Sequence, residues 1–356
     1  MTRSFAGISF FRQMSVLITL VLLVLFGLGI VFIYSSCYLG EEQPVRPLYM
    51  KQLMWGIAGI ICYWFCAVFD YRKLGKLSPW IYAFTTMLLV LVLIFGLRIY
   101  GSKRWLPLVP GADLGIQPSE FAKLATVFFL ARVLSVPNSE ISSFKTFISA
   151  FLIAVIPFGL ILIEPDLGTA MVLIPITFIM MFVGGISPRV LMTFVLIGAL
   201  LVGLVLSALF LPAKLGASEE TQQKFVKLTG LGDYQIDRIE VFLNLNEDPL
   251  GAGWNKMQSE IAVGSGGLWG KGFFKGDQNI LGFLPRSVAP TDFIFSVVAE
   301  EKGFMGSSVI IGLFTLLCWL GVRTAMICRD KMGRMFCVGI TTMIFCHAFI
   351  NIAMTV

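Results

Sequence analysis

Runs of apolar residues long enough to cross a bilayer recur along most of the chain, and polar residues are confined to the stretches between them. Uncharged apolar runs of roughly 17 residues or more, the length that spans a hydrocarbon core, lie near residues 14–35, 52–69, 79–97, 146–163, 167–184, 190–211, 303–322 and 335–356. Each predicts a transmembrane helix, since a lipid-exposed chain must satisfy its own backbone hydrogen bonds. A ninth run, near 119–134, carries Glu120 and Lys123 at its start and is barely long enough at about 1.5 Å per residue; it is taken as a ninth span. The pattern predicts an all-α polytopic membrane protein of about nine transmembrane helices, one membrane domain over 1–356 with one long extracytoplasmic loop at 212–290.

Composition agrees. Of 356 residues, 57% are hydrophobic and 13% charged, against about 25% charged in soluble domains. The first run follows Arg3 and Arg12, exceeds a signal-peptide core and has no small-residue cleavage site after it, so it reads as an uncleaved span. With a cytoplasmic N-terminus, the inside segments hold Arg3, Arg12, Arg72, Lys73, Lys76, Arg132, Lys145, Arg189, Arg323, Arg329, Lys331 and Arg334. The short outside segments hold Arg46, Lys51, Arg98, Lys103 and Arg104. Twelve against five favours that orientation and puts the long loop outside. The net charge of +6 fits attraction to anionic lipid, not nucleic acid. The seven cysteines form no C-x-x-C pair or metal-like spacing, and His347, the single histidine, lies on an apolar helix. Histidine acid–base chemistry is therefore not expected.

Candidate chemistry sits between the spans. In GSKRWLPLVPGADLGIQPSEFAKL, residues 101–124, Lys103 and Arg104 lie outside against the positive-inside trend, with Trp105 beside them at headgroup level. Two readings are open: an interfacial anchor, or a cradle for an anionic lipid headgroup. Pro118 suits the first turn of a helix that Gln117 or Ser119 can cap. Glu120 and Lys123 then stand three apart on one face. Ionisable groups at that depth are costly unless paired and mark functional sites; a purely structural ion pair is the alternative. In LIEPDLGTA, residues 162–170, Pro165 closes one helix and Asp166 caps the next.

In the long loop, Tyr234, Ile236, Ile239, Phe242 and Leu243 fit one helical face lying on the membrane surface. Asp248, in NEDPLGAGWN, is held off the helical region by Pro249, while Gly251 and Gly253 admit a ligand or another backbone. Glu247 and partial desolvation both push the Asp248 pKa upward, toward the range a general base needs; a simple Asp-Pro turn is the other reading. The glycine cluster at 264–272 fails the phosphate-loop pattern G-x-x-x-x-G-K-[ST], having Ser265 where glycine is needed and Gly272 where Ser or Thr is needed. Its N–H groups, with Lys271 and Lys275, could still cradle a pyrophosphate, and a surface turn explains it equally. Gln258, Ser259, Thr291 and Asp292 complete the candidate substrate contacts on this side.

Taken together, KRWL, IQPSEFAKL, EPDLGTA, DPLGAGWNKMQSEIAVGSGGLWGKG, FLP followed by TDFIFSVVAEEKGFMG, and NIAM occur in the order found in the SEDS proteins, named for shape, elongation, division and sporulation. From about residue 45 onward the chain resembles that family, and its motifs look more like the rod-shape branch than the division branch. The resemblance implies a multi-pass peptidoglycan glycosyltransferase of the bacterial cytoplasmic (inner) membrane. Such an enzyme polymerises lipid II on the outer face and works with a class B penicillin-binding protein as transpeptidase. Residue by residue, it implies an essential acid at Asp248, a paired acid and base at Glu120 and Lys123, and the tryptophan after the basic pair at Trp105. Two features depart from the family. Arg286 to Pro290 fill a gap that is commonly three residues including histidine, and Pro290 stands where that histidine would be. The family also has ten spans, so ending at Val356 after nine suggests a truncated product.

The mechanism expected on this basis is a single inverting displacement. Asp248 accepts the proton of the acceptor sugar's 4-hydroxyl as that oxygen attacks the donor's anomeric carbon, and undecaprenyl pyrophosphate leaves from the opposite face. The leaving group needs positive charge, for which Lys103, Arg104, Lys123 and Lys271 are candidates. The candidate cofactor is a divalent cation (Mg or Mn) held between carboxylates and phosphate, which would assist these residues. The expected partners are lipid II, the nascent glycan, the transpeptidase and membrane lipid. A lipid II flippase and a non-catalytic membrane scaffold of the synthase are the competing readings.

Overall fold

The computed structural model describes residues 16–37, 48–99, 102–107, 115–135, 144–164, 166–214, 236, 252–284 and 288–356. Asp248, Pro165 and the surface helix expected around 234–243, Ile236 excepted, lie outside these. In chain order the elements are α1 (Val16–Cys37), α2 (Leu48–Val68), α3 (Tyr71–Phe95), β1 (Leu97–Ile99), β2 (Ser102–Pro107), β3 (Gly115–Ile116), α4 (Pro118–Val133), α5 (Phe144–Ile163), α6 (Leu167–Gly184), α7 (Pro188–Lys214), α8 (Ala252–Ser265), α9 (Asp277–Ile280), α10 (Ile294–Ile327) and α11 (Lys331–Thr355).

Eight of the described helices are long and apolar enough to cross a membrane, and they coincide with the eight uninterrupted apolar runs. The ninth run also forms a helix, α4, but its 16 residues reach only about 24 Å, short of a bilayer core of about 30 Å. Protein rather than lipid surrounds much of it: Ala122, Lys123, Ala125, Val127, Leu130 and Ala131 are all buried, and it packs against α5 and α6. Before it, β1, β2 and β3 form a small antiparallel sheet, with Leu97 opposite Trp105 and Leu106 opposite Ile116. Strands of three, six and two residues are too brief for an alternating pattern to stand out in the sequence.

The chain divides into two compact units, residues 75–247 and residues 1–74 with 248–356. In the first, Leu89, Ala122, Ile161, Ala170 and Leu173 form a buried core. Two intrahelical prolines are accommodated by polar side chains. Pro157 in α5 cannot donate to Ile153 O, and the Tyr82 hydroxyl donates there instead, at 3.0 Å. Pro79 in α3 likewise frees Gly75 O, which accepts from Ser78 Oγ at 2.8 Å and from Arg132 Nη1 at 3.4 Å. Where lipid offers no donors, such replacements let a proline stand inside a helix. At the C-terminus of α6, Gly185 adopts φ 108° and its N–H closes on Met181 O and Phe182 O.

In the second unit, Val21 of α1 packs with Leu317 and Leu320 of α10. Helix α10 breaks at Gly303 (φ 63°, ψ −162°), which deprives Phe304 and Met305 N–H of their helical acceptors, Glu300 O and Glu301 O. The glycine-rich loop after α8 completes all four groups. Phe304 N–H donates to Gly267 O at 2.8 Å and Met305 N–H to Leu268 O at 3.1 Å, while Glu300 O and Glu301 O accept from Lys271 and Gly272 N–H, each at 3.0 Å. Only glycine permits so close an approach: a Cβ at Gly270 would stand 2.2 Å from Glu301 O, and one at Gly303 would stand 2.4 Å from Gly270 N.

Candidate functional site

The polar centre of the 75–247 unit is built where β2, α4 and the α5–α6 turn meet. Pro118 occupies the first turn of α4, and Gln117 stands at its N-cap in an extended conformation, as the proline imposes. Neither expected cap forms through a side chain. Gln117 makes no capping bond; its amide instead donates to Asp166 Oδ2 at 3.0 Å. Ser119 is buried, and its hydroxyl has no hydrogen-bond partner among the described residues. Asp166 does cap α6, accepting from Thr169 N–H at 3.2 Å and from Thr169 Oγ1 at 2.8 Å. It also faces Arg104 Nη1 at 3.9 Å. One carboxylate thus joins β2, the start of α4 and the start of α6.

On α4, Lys123 Nζ lies 2.9 Å from Glu120 Oε1, the lysine side chain being 0% and the glutamate 49% exposed. The pair is asymmetric: the cation is sealed inside and the anion faces outward. Removing Glu120 withdraws the counter-charge of a buried ammonium, which is costly even where the lost partner was half solvated. Glu120→Ala is expected to lose about 2 kcal/mol of stability and Glu120→Gln, which keeps an acceptor oxygen, about 1 kcal/mol. Thermal unfolding of the detergent-solubilised protein measures both, and equal losses would contradict the asymmetry.

Arg104 is partly exposed, at 22%, and Trp105 is exposed, with its ring against the Gly115 backbone. Lys103 stands opposite Arg98 in the β1–β2 register. Glu164 follows the last residue of α5, in the EPD turn. It is buried, and among the described residues neither of its carboxylate oxygens has a hydrogen-bond partner. Burial, reinforced by Asp166 and opposed by Arg104, pushes its carboxyl up to about 8. Sequence reasoning passed over this residue. A carboxylate closing an apolar helix, against the negative end of the helix dipole, was the available signal.

The remaining candidates belong to the other unit. Lys271 Nζ contacts Glu300 Oε1 at 2.8 Å and Asp277 Oδ2 at 2.9 Å. Burial works against its charge, but these two partners outweigh it and hold its pKa above the ordinary lysine value. A lysine matched by two carboxylates is a poor phosphate ligand unless the cluster rearranges. Glu300 also accepts from Gln278 N–H at 3.1 Å, and Glu301 accepts from Ser35 of α1. Gln258 and Ser259 are buried, and the Ser259 hydroxyl bonds Ser296 Oγ at 2.5 Å and Thr355 O at 2.8 Å, fastening α8 to α10 and α11. Thr291 and Asp292 are exposed. Thr291 Oγ1 donates to Val288 O at 3.2 Å, and Asp292 O accepts from Asn351 Nδ2 at 3.3 Å.

Among the described residues no group of three or more His, Cys, Asp or Glu side chains is arranged to hold a metal. Arg104 is more exposed than Lys123 and faces Asp166 at the edge of ion-pair range, whereas Lys271 lies against two carboxylates. This arrangement can receive an anion at Arg104, with Trp105 alongside.

Residues 14–356 match the family model described as cell cycle protein, FtsW, RodA and SpoVE. The chain is 31% identical to peptidoglycan glycosyltransferase RodA of Treponema pallidum, over 95% of this chain and 88% of the relative. It is 35% identical to stage V sporulation protein E of Bacillus subtilis, over 94% and 86%, and 34% identical to peptidoglycan glycosyltransferase MrdB of Escherichia coli K12, over 94% and 82%. Among solved structures it resembles a chain of a peptidoglycan synthase complex described as coordinating polymerization and crosslinking, with TM-score 0.67, 26% identity, and 95% of this chain and 86% of that chain covered. It also resembles a point variant of the Rod shape determining protein RodA of Thermus thermophilus, with TM-score 0.61, 25% identity, and 94% and 83% covered.

Proposed function

This chain belongs to the FtsW, RodA and SpoVE family, a premise from which we propose how it works as a peptidoglycan glycosyltransferase. It is an integral membrane protein and an enzyme of glycan polymerisation, as are the relatives that bear that name along nearly its whole length. Its motifs look most like the rod-shape branch, and both RodA and MrdB are among its relatives, alongside a sporulation protein.

The donor is lipid II, a disaccharide carried on undecaprenyl pyrophosphate. Asp248 takes the proton of the acceptor 4-hydroxyl while the anomeric centre inverts. Arg104 meets the departing pyrophosphate: it is partly exposed, and its planar fork suits phosphate oxygens, with charge that grows on the leaving group as the bond breaks. Trp105 lies at the headgroup boundary beside it. Lys123, buried against Glu120, holds the start of α4 in place. The N-terminus is cytoplasmic and the site faces outward, a reading supported by the excess of basic residues in the inside loops. The partner is a crosslinking transpeptidase of the class B penicillin-binding type, a reading supported by the similarity to a chain of a peptidoglycan synthase complex that coordinates polymerization and crosslinking.

The observation that carries this reading is the unbroken family match over residues 14–356. The test incubates the purified protein and its transpeptidase partner with lipid II and separates the products by size. Polymer supports the reading. Headgroup translocation across vesicles without polymer would replace it with a flippase, and partner recruitment with neither activity would replace it with a scaffold.

A further inference from the structure

One buried ionisable side chain has no part in the chemistry above. Glu164 closes α5, where its N–H meets both Leu160 O and Ile161 O at 3.2 Å, and it is 1% exposed. Both carboxylate oxygens are buried, without a hydrogen-bond partner among the described residues. The charged groups facing it carry opposite signs: Asp166 from the start of α6 and Arg104 from β2. From α4, Lys123 lies within electrostatic range of Asp166 and is paired with Glu120.

An ionised carboxylate in this position would lose its hydration and gain no donor in return. It would also sit at a helix C-terminus, where the partial charge is already negative, and beside the Asp166 carboxylate. All these effects keep the proton on Glu164. The neutral form therefore dominates near neutral pH, in line with a carboxyl pushed up to about 8. Ionisation in the alkaline range places a new negative charge within reach of the Arg104 guanidinium, while the proton passes to solvent.

We propose that Glu164 is a positioning residue for glycosyl transfer: as a neutral carboxyl it leaves Arg104 to Asp166 and to the pyrophosphate of the lipid-linked donor, and on ionising it draws Arg104 inward and weakens donor binding. This rests on Arg104 meeting the donor, as set out under the proposed function. The stability linkage has the same sign. A carboxyl that holds its proton more tightly when folded contributes fully below the ordinary glutamate range, and its contribution is lost as pH rises toward about 8.

The test pairs a spectroscopic titration with kinetics on the full chain. Infrared difference spectra should show a protonated-carboxyl band that fades with a midpoint near pH 8 and is missing from Glu164→Gln. In polymerisation assays with the partner, the KM for lipid II should rise roughly tenfold between about pH 7 and about pH 9, and Glu164→Gln should abolish that rise. A missing band overturns the proposal, as does a KM that climbs as steeply in Glu164→Gln as in the unaltered protein. If Glu164→Gln does not fold, Arg104→Gln replaces it: loss of the guanidinium should move the band's midpoint upward, and an unmoved midpoint overturns the proposal. If the unaltered protein makes no polymer, the proposed function fails by itself, and the infrared arm separately shows whether Glu164 holds its proton.

Discussion

Replacing Asp248 by asparagine is expected to slow glycan polymerisation roughly 10²- to 10⁴-fold, the contribution of a well-placed general base. The amide keeps the shape of the side chain but cannot accept the acceptor hydroxyl's proton, so the loss belongs to the transition state. It should appear in kcat with little change in KM, because ground-state contacts to the two lipid-linked sugars are untouched. Elution volume and unfolding temperature should match the unaltered protein, since asparagine is nearly isosteric with aspartate. Glu247→Gln, one residue away, should cost far less. Retention of kcat in Asp248→Asn would move the base to another residue and leave the displacement mechanism without its proton acceptor.

Gly270→Ala should be the most damaging single-methyl substitution among the described glycines of the loop at 266–272. Gly270 adopts φ +79°, which costs an L-residue about 1–2 kcal/mol. Its Cβ would also stand 2.2 Å from Glu301 O and 2.5 Å from Lys302 N, both rigid backbone atoms. That carbonyl is one of the four groups through which the loop completes the break in α10. Relieving the clash means parting the two strands of chain there and leaving buried backbone groups unpaired. A loss of about 4 kcal/mol or more is expected, equivalent to a fall of roughly 10 °C in the unfolding midpoint for a unit of this size. Gly264→Ala is the control: it lies inside α8 with open space at its Cβ and should be neutral or slightly stabilising. Similar midpoints for the two variants would mean the loop is not anchored to the break.

The phosphate-loop look of residues 264–272 shows where local pattern and global role part. Glycine spacing reports that a backbone must turn or approach something closely, but not what it approaches. Here the partner is another stretch of the same chain, the interrupted turn of α10. Lys271 shows the same limit: a lysine after a glycine run suggests an anion, yet two carboxylates from elsewhere in the unit already surround it. Ser259, a candidate substrate contact, ties three helices together, which the sequence does not show. Lys123 and Glu120 were legible as a pair because both stand on one helix, three residues apart. The inequality of their exposure was not legible, because it depends on packing against α5 and α6.

The apolar runs alone were enough to specify eight helices, and the order of the motifs was enough to identify the family. A bilayer makes the first possible: its interior supplies no hydrogen bonds, so run length translates directly into helices that complete their own backbone. Tertiary structure decided which charges meet. Asp166, already capping its own helix through Thr169, gathers Arg104 and Gln117 across long stretches of sequence, and Glu164, two residues before it, is buried without a donor among the described residues. The difference between these two carboxylates of one tripeptide lies in their surroundings, because the free energy of a charge depends on the water it loses and the partners it gains, and both are set by distant parts of the fold.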